Sequence, residues 1–428
     1  MFDLKLTNAT LADGRSGVDI GISAGRIAAI EPSLGGEAAE VIDADGQLVS
    51  APFVDCHFHM DATLSLGLPR HNESGRLLEG IQIWGELKPL LTQEAVIERA
   101  MAYCDLAASQ GLLAIRSHVD ICDARLLGVE ALLEVRRRVA PYIELQLVAF
   151  PQDGYYRSPG AVELLNRALD MGVDVVGGIP HFERTMADGA ASVAALCRIG
   201  ADRGLLVDLH CDETDDPLSR HIETLTYETQ RLGLAGRVAG SHLTSMHSMD
   251  NYYVSKLLPL MAEAGVAAIA NPNINIGIQG RHDTYPKRRG MTRIPEMLSY
   301  GITCAFGQDC MMDPWYSLGQ ADMLEVASMG LHVAQMTSRD AMRQCFAAIT
   351  TGPASIMQLE DYGVEVGCKA DMVLLQAADP IEAIRLKATR LAVIKAGKVI
   401  SRTAPRLSAL GLPGRPQRLD PSRVGPRG

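Results

Sequence analysis

The sequence predicts an α/β fold, a (β/α)8 TIM-type barrel with a small β-sandwich domain built from both chain ends. The first observation is that short apolar segments of strand character alternate with helix-patterned segments through the middle of the chain. The second is that polar residues follow several of these segments, as in barrels whose chemistry gathers at the C-terminal ends of the strands. A doubly wound open sheet is the alternative for the same alternation. The eight strand candidates are SAPFVDC, GLLAIRSH, IELQLVAF, VDVVGGIP, LLVDLH, RVAGSH, VAAIAN and ITCAFGQD.

The chain divides into four segments by its patterning. Residues 1–50 alternate short β-patterned pieces with turn residues, and the same texture returns within residues 361–404, in ADMVLLQAADP and RLAVIKAGKVIS. We therefore expect these two segments to form the small sandwich together, beside a barrel made of residues 51–360. Residues 405–428 are rich in Pro, Arg and Gly and are expected to be a flexible tail.

The composition is that of a globular protein and excludes some classes of partner. The chain has 428 residues, is 47% hydrophobic and 21% charged, and carries a formal net charge of −11. No basic run exceeds three residues and no apolar stretch has the length of a membrane span, so neither nucleic acid nor membrane is expected as a partner. Nine cysteines without paired spacing and a start without signal-peptide features indicate a cytoplasmic location.

Side chains with metal-binding donors follow strand candidates that lie far apart in the sequence. His57 and His59 follow the first candidate, His210 ends the fifth and Asp309 ends the eighth. Residues i and i+2 of an extended segment point to the same side, so His57 and His59 can ligate one ion together. Three imidazoles and a carboxylate at one barrel mouth predict a divalent-metal site. The alternative for any single histidine is that it only packs in the core.

Two more residues at these strand ends are suited to proton transfer. Glu213 lies three residues beyond His210, where a carboxyl can carry protons between water and a substrate nitrogen. The alternative is that Glu213 only favours the start of the next helix. His242, which ends the sixth candidate, can orient or deprotonate the attacking water, and Asp309 can accept a proton as well as ligate.

The expected number of metal ions follows from the absence of lysine in a long part of the sequence. No lysine lies between Lys88 and Lys256, so two ions bridged by a carbamylated lysine of the fourth strand cannot be built. One ion with water as the nucleophile is therefore expected. His118 and His181 also end strand candidates, but they have no partner pattern, and we expect them to support the site rather than to ligate.

Several long stretches are similar to those of known enzymes. The chain resembles the amidohydrolase superfamily, and within it the bacterial cytosine deaminases, over nearly its full length. The matching stretches are FVDCHFHMDAT, SGRLLEGIQIWGELKPLLT, LQLVAFPQDG, VVGGIPHFE, VDLHCDETDD, SHLTSMHS, ANPNINIGIQGRHDTYPKRRGMTRIPEML and DPWYSLG.

The resemblance implies roles for individual residues. It makes Glu213 the proton shuttle and His242 the partner that activates water. It implies that Gln152 reads the amide edge of a pyrimidine and that Leu77 and Trp315 help to wall the pocket, although Trp315 can equally be rim packing. It makes iron(II) or zinc(II) the metal, held by the residues that the strand ends also indicate: His57, His59, His210 and Asp309.

The chain departs from this family pattern at the end of the eighth strand. Where cytosine deaminases have His-Asp-Asp, this chain has Gln308-Asp309-Cys310. The ligand Asp309 is retained, while the second acid, which the resemblance places near position 5 of the ring, is a thiol. A neutral, polarizable side chain accepts an apolar contact, whereas a carboxylate facing a methyl group would lose solvation. Alternatively, Cys310 is a small buried residue without influence on specificity.

The sequence therefore predicts a metal-dependent aminohydrolase that favours 5-methylcytosine and yields thymine and ammonia. Its expected partner is a small pyrimidine base, and we expect a homo-oligomer. The alternatives are plain cytosine deaminase, or another cyclic amidine or amide hydrolase such as isocytosine or creatinine deaminase or a triazine hydrolase. A barrel that binds without turnover would need a lost catalytic group, and every expected group is present.

Overall fold

The structure is a computed structural model that describes residues 1–424. The strands are β1 (Phe2–Leu11), β2 (Ser16–Ser23), β3 (Arg26–Glu31), β4 (Ala38–Asp43), β5 (Leu48–Ser50), β6 (Phe53–Phe58), β7 (Leu112–Asp120), β8 (Glu144–Phe150), β9 (Val175–Gly178), β10 (Leu206–Cys211), β11 (Val238–His242), β12 (Val266–Ala270), β13 (Cys304–Phe306), β14 (Met372–Leu375), β15 (Arg390–Lys395), β16 (Lys398–Arg402), β17 (Ser408–Ala409) and β18 (Arg418–Leu419). The helices are α1 (Leu77–Leu87), α2 (Gln93–Ser109), α3 (Leu127–Val139), α4 (Ala161–Asp170), α5 (Met186–Arg203), α6 (His221–Leu232), α7 (Asn251–Ala264), α8 (Pro272–Ile278), α9 (Ile294–Ser299), α10 (Met323–Val333), α11 (Arg339–Ala347), α12 (Thr351–Ile356) and α13 (Pro380–Leu386).

Strands β6 to β13 form one parallel sheet in sequence order. Its first and last strands approach each other at the residues just after them, where the Asp309 N–H donates to the His57 carbonyl oxygen at 2.8 Å. The His59 N–H donates in turn to the Asp309 carbonyl oxygen at 2.9 Å. The sheet is thus nearly closed into a barrel, and all eight predicted strands belong to it. The predicted (β/α)8 barrel is confirmed, and the open doubly wound sheet is wrong.

The burial of the barrel strands explains their uniform apolar character in the sequence. Every residue of β6, β7, β9, β11 and β13 is buried. A parallel sheet covered by helices on one face and filled on the other buries both faces of each strand, so its strands do not alternate between apolar and polar residues. A separate apolar cluster joins the barrel strands to α12 and the turn after it; its buried members are Val54, Cys56, Ala114, Ala239, Ile269, Ala305, Ala354, Ile356 and Met357.

The two chain ends meet in a second sheet of eight strands. The strand order is β16-β15-β14-β5-β1-β2-β3, and β4 pairs with β1. Within this sheet the chain ends are joined by the antiparallel pair of β5 and β14, in which Val49 lies opposite Leu374. This sheet has an apolar core of its own, which includes Leu6, Ile20 and Ile394. The strand-rich unit expected from both chain ends is therefore present.

The segment predicted to be a flexible tail, residues 405–428, contains the short antiparallel pair β17 and β18. The Gln376 side-chain amide donates to the Arg406 carbonyl oxygen at 3.1 Å and to Asp420 Oδ1 at 3.0 Å. These hydrogen bonds connect the described part of the segment to β14 and the turn after it. Residues 425–428 lie outside the described residues, and the flexibility of the segment stays a prediction.

Within residues 1–424, no helix combines the length and the apolar character needed to cross a membrane.

Candidate active site

The four predicted metal ligands lie together at the barrel mouth. His59 Nε2 and His210 Nε2 are 3.0 Å apart. Asp309 Oδ1 lies 3.4 Å from His57 Nε2 and 3.4 Å from His59 Nε2. One ligand atom from each of the four residues lies within 4.8 Å of the others, and all four residues are buried. Strand ends that are distant in sequence therefore form a compact donor set, as predicted.

The chemistry of this donor set fits a divalent metal ion. His57 Nε2 is buried and has no hydrogen-bond partner among residues 1–424. Burial lowers the pKa of His59 to about 4 and that of His210 well below its ordinary value, so both rings stay neutral, the form that ligates. Metal–nitrogen bonds of about 2.0–2.1 Å hold two ligand nitrogens roughly as close as His59 and His210 are here. This set of residues could therefore hold a metal ion.

The other ring nitrogen of His57 is fixed by a buried hydrogen-bond chain. His57 Nδ1 lies 2.9 Å from Ser241 Oγ, and the Ser241 hydroxyl donates to Asp208 Oδ1 at 2.7 Å. Because the Ser241 hydrogen is engaged with Asp208, its oxygen accepts from a protonated Nδ1. The proton of the neutral ring is then on Nδ1, which leaves the Nε2 lone pair directed at the donor set.

Left-handed backbone conformations occur at three strand ends around the site. Asp212 has φ 55°, His242 has φ 69° and Asp309 has φ 68°. Such conformations cost a non-glycine residue on the order of 1 kcal/mol and persist where the surroundings fix them, often at functional sites. Asp212 is fixed through its carboxylate, which accepts from the backbone N–H of Ile222 at 2.9 Å and of His221 at 3.1 Å, at the start of α6.

The adjacent acids Asp212 and Glu213 make different contacts. The acid that caps the start of α6 is Asp212, whereas Glu213 points into the pocket. Glu213 Oε1 lies 3.3 Å from His242 Nδ1, and His242 Nε2 lies 3.8 Å from Asp309 Oδ2. The structure therefore brings the three predicted catalytic residues into one cluster.

The two carboxyl groups of this cluster have pKa values shifted in opposite directions. Burial raises the pKa of Glu213 well above its ordinary value, and the charge of Asp309 adds to the effect. Burial also opposes ionisation of Asp309, but the surrounding imidazoles, His57 and His242 first, lower its pKa below the ordinary value. Two carboxyl groups whose pKa values are shifted in opposite directions suit the roles of acid and base in one reaction.

A pocket opens beside the donor set. It is lined by all four predicted substrate-contacting residues, Leu77, Gln152, Cys310 and Trp315. The Gln152 side chain makes no hydrogen bond to any residue within 1–424, although the residue is only 6% exposed. Its amide is therefore free to donate to and accept from a ligand.

Cys310 occupies an apolar corner of this pocket. It packs in a small cluster with Ile274 and Ile278, against which Leu77 and Trp315 also lie. Burial raises the pKa of the Cys310 thiol well above its ordinary value, so the side chain is neutral. The corner presents sulfur and hydrocarbon rather than charge to a ligand.

Some lining residues have no distinguishing signal in the sequence. Ile81, Ile179, Ile274 and Ile278 line the pocket, but isolated isoleucines in loops and short helices resemble ordinary core residues. Gly80 is a further case: a Cβ placed there would lie 2.4 Å from Cδ1 of Trp315, so the absence of a side chain lets α1 approach the indole.

The two histidines expected to support the site lie next to it. The His118 ring is buried and its centroid is 4.3 Å from that of His57 and 4.5 Å from that of His210. His181 Nδ1 accepts a hydrogen bond from the Glu213 backbone N–H at 3.4 Å. Neither belongs to the four-residue donor set.

Solved structures similar to this one include a 5-methylcytosine deaminase from Klebsiella pneumoniae liganded with 5-fluorocytosine. It is 40% identical, the match covers 94% of this chain and 98% of that chain, and the TM-score is 0.91. N-isopropylammelide isopropyl amidohydrolase of Pseudomonas sp. (strain ADP) is 29% identical over 93% of this chain and 97% of its own length. Pterin deaminase of Rhizobium rhizogenes is 29% identical over 92% of this chain and 90% of its own length.

The family model described as "Amidohydrolase family" matches residues 40–402, a range that contains every strand of the barrel and all the residues of the site. This agreement between the family model, the structural likeness and the donor set confirms the resemblance inferred from the sequence. The chain belongs to the amidohydrolase family and is a metal-dependent aminohydrolase.

Proposed function

We propose that this enzyme hydrolytically deaminates 5-methylcytosine to thymine and ammonia. The observation that carries the proposal is the apolar corner formed by Cys310, Ile274 and Ile278, in the same pocket as Glu213 and Gln152. The similarity to a 5-methylcytosine deaminase at 40% identity supports the same substrate. Cytosine is the second candidate, because it differs from 5-methylcytosine only by the methyl group that this corner would contact.

We further propose that one divalent ion, Fe(II) or Zn(II), is held by the donor set of His57, His59, His210 and Asp309. When bound, such an ion lowers the pKa of a coordinated water and polarises groups at the carbon under attack. Burial keeps the imidazoles of His59 and His210 neutral, and the contact of His57 Nδ1 with Ser241, which is bonded to Asp208, directs His57 Nε2 inward.

Glu213 would handle the protons of the reaction. Burial raises its pKa and so favours the protonated carboxyl, which can donate to the ring nitrogen next to the carbon that carries the amino group. The resulting carboxylate can then take up a proton from the attacking water and pass it to the departing amine. Asp309, whose pKa is lowered, is an acceptor for a second proton as the new carbonyl forms.

Gln152 would orient the pyrimidine. A primary amide offers one donor and one acceptor in a plane, which matches the alternating N–H and C=O groups on the amide edge of cytosine. Its side chain has no partner within residues 1–424 that would compete with such a ligand. Leu77 and Trp315 would cover the faces and rim of the ring from α1 and from the loop after β13.

The corner at Cys310 would contact the 5-methyl group. Transfer of one methyl group out of water contributes about 0.8 kcal/mol to the free energy of binding. A neutral thiol next to two isoleucines is an apolar surface against which the methyl group can pack. A carboxylate at the same position would be desolvated against the methyl without a partner. The chemistry of the corner therefore favours 5-methylcytosine over cytosine.

The proposal is tested by measuring ammonia release from cytosine, 5-methylcytosine, isocytosine and creatinine with one metal-loaded preparation. Chromatography of the reaction mixtures identifies the product bases. We expect the highest rate with 5-methylcytosine and thymine as its product. Ammonia release confined to isocytosine or creatinine would contradict the proposal, and the Glu213→Gln variant, loaded with the same metal, controls for contaminating deaminases.

A further inference from the structure

The His242 ring is surrounded by amides from the segment that follows β12. Asn271 precedes α8 and Asn275 lies within it, and both side chains are buried. Asn275 Nδ2 lies 3.0 Å from His242 Nδ1. Neither asparagine belongs to the metal donor set or lines the pocket. Their contact with His242 bears on which nitrogen of that ring carries the proton.

The orientation of the Asn275 amide follows from a second contact. Asn275 Oδ1 lies 3.3 Å from the backbone N–H of Asn271, which can only donate a hydrogen bond. The oxygen of the amide therefore faces that N–H, and the NH2 group faces His242. Turning the amide over would place NH2 against N–H and lose this bond. The atom that His242 offers to Asn275 must then be an acceptor.

A neutral imidazole has one acceptor nitrogen and one N–H. Since Nδ1 of His242 accepts from Asn275, the proton belongs on Nε2. Nε2 is the nitrogen on the side of Asp309, 3.8 Å from Asp309 Oδ2.

The remaining polar neighbours agree with this assignment. Asn271 Nδ2 is 3.3 Å from both ring nitrogens of His242. An atom that close to both must lie over the ring face, because in the ring plane it would collide with Cε1, so Asn271 does not compete for the Nδ1 lone pair. Glu213 Oε1 lies 3.3 Å from Nδ1, farther than Asn275 Nδ2 at 3.0 Å, so the amide is the nearer partner of that nitrogen.

We propose that Asn275 is a positioning residue that holds His242 in the Nε2–H tautomer. In this form His242 presents a hydrogen-bond donor, and no base, to the space beside Asp309. Of the two roles expected from the sequence, orienting or deprotonating the attacking water, the structure thus assigns the first. Proton acceptance is left to Asp309 and Glu213. This consequence for the reaction rests on the proposed function, whereas the tautomer itself does not.

The test is nuclear magnetic resonance of the full-length, zinc-loaded chain with 15N-labelled histidine. Two-bond 1H–15N correlations distinguish a protonated ring nitrogen from an unprotonated one, and the His242→Gln variant assigns the signals. In the wild type we expect an unprotonated Nδ1 and a protonated Nε2 on His242. A protonated Nδ1 in the wild type would overturn the proposal without any variant being needed.

Two variants provide the matched comparison. In Asn275→Asp the new carboxylate accepts a hydrogen bond, so the proton is expected to move to Nδ1 and the two 15N signals to exchange character. In Asn273→Ala, which removes an amide from the same helix without touching His242, the wild-type pattern is expected to persist. An unchanged pattern in Asn275→Asp would overturn the proposal.

Kinetics provides a readout that loss of structure would not give. With 5-methylcytosine, Asn275→Asp should lower kcat by roughly 10²- to 10⁴-fold, as for a misplaced imidazole proton in other hydrolases, while KM stays within about twofold. A variant with the exchanged tautomer and unchanged kcat would show that His242 has no donor role. If the wild type turns over none of the four ring substrates, the tautomer result still stands, so failure of the proposed substrate is distinguishable from failure of this inference.

Discussion

The Arg116 guanidinium lies 2.9 Å from the Asp208 carboxylate, and both side chains are almost completely buried, with 1% and 0% exposed. The Arg116 side chain also donates to Gln146 Oε1 at 2.8 Å and to the Ile356 carbonyl oxygen at 3.0 Å. Asp208 accepts from Ser241, whose hydroxyl in turn contacts His57. The ion pair thus connects a charged group among the barrel strands to a residue of the metal donor set.

We predict that Asp208→Asn destabilises the protein by about 3–5 kcal/mol, because it leaves the Arg116 charge buried without its partner. Urea unfolding monitored by circular dichroism measures the change. Glu382→Gln is the control, since its ion pair with Arg385 is partly exposed and should contribute less than about 1 kcal/mol. Equal free energies of unfolding for the two variants would show that the buried ion pair does not stabilise the barrel.

Glu213→Gln should retain the metal and lose most of the turnover. An amide cannot relay a proton between water and a ring nitrogen, and such relays contribute on the order of 10²- to 10⁴-fold to the rate. Elemental analysis checks the metal and steady-state assays check kcat. Glu223→Gln, in α6 and outside the pocket, is the matched control. Full activity of Glu213→Gln would remove Glu213 from the mechanism.

Chelation should abolish activity without unfolding the protein. The large apolar core that joins the barrel strands to the helices does not include the donor set, so we expect the chain to stay folded without the ion, although bound ion adds stability. We expect one equivalent of metal per chain before chelation, an unchanged far-ultraviolet circular dichroism spectrum after it, and recovery of activity on addition of Zn(II) or Fe(II). Two tightly held ions per chain would contradict the single-ion proposal.

Gly80→Ala should impair substrate binding, whereas Gly85→Ala in the same helix should not. A Cβ at Gly80 would collide with the Trp315 side chain, which must then move within the pocket, while Gly85 has open space around it. Overpacking of this kind costs about 1–3 kcal/mol, so we expect KM to rise by at least about fivefold. Gly85→Ala should stabilise the helix by about 0.5–1 kcal/mol and leave KM unchanged. Equal KM values would show that Trp315 does not shape the pocket.

The sequence predicts the barrel and its donor set well because both depend on local, repeated signals. An apolar strand followed by His or Asp is visible in the sequence, and the barrel fold alone brings His57 and Asp309 together. Gln152 follows the third strand candidate, but its expected role required the family resemblance, and so did the assignment of Trp315 to the pocket. What the sequence could not predict depends on side-chain orientation.

Asn275 and Asp212 illustrate this second class. The hydrogen bond from Asn275 to His242 requires the position of α8 relative to β11, which no pattern in the sequence encodes. Similarly, of two adjacent acids, Asp212 turns to cap α6 and Glu213 turns into the pocket, because the left-handed backbone at Asp212 decides where each side chain points. The apolar residues of the Cys310 corner also become recognisable only once the loop after β13 and α8 are seen in contact.

Cys310→Asp should reverse the preference between the two bases. The new carboxylate would lie against the methyl group and two isoleucines, and a buried polar group without a partner costs roughly 1–3 kcal/mol, or about 5- to 150-fold in relative kcat/KM. Activity on cytosine should survive, since all four residues of the donor set are kept. Cys310→Ala, which adds no charge, should keep the preference for 5-methylcytosine. An unchanged ratio in Cys310→Asp would mean that Cys310 only packs.

The central claim, preference for the 5-methylated base, is tested most directly by competition in one reaction. Equal concentrations of cytosine and 5-methylcytosine are mixed with the wild-type enzyme, and thymine and uracil are quantified at low conversion, where their ratio equals the ratio of kcat/KM values. We predict an excess of thymine of at least about fourfold, because burial of one methyl group contributes about 0.8 kcal/mol, which corresponds to this ratio of kcat/KM values. Equal amounts of the two products would contradict the claim, and an excess of uracil would in addition identify cytosine as the better substrate.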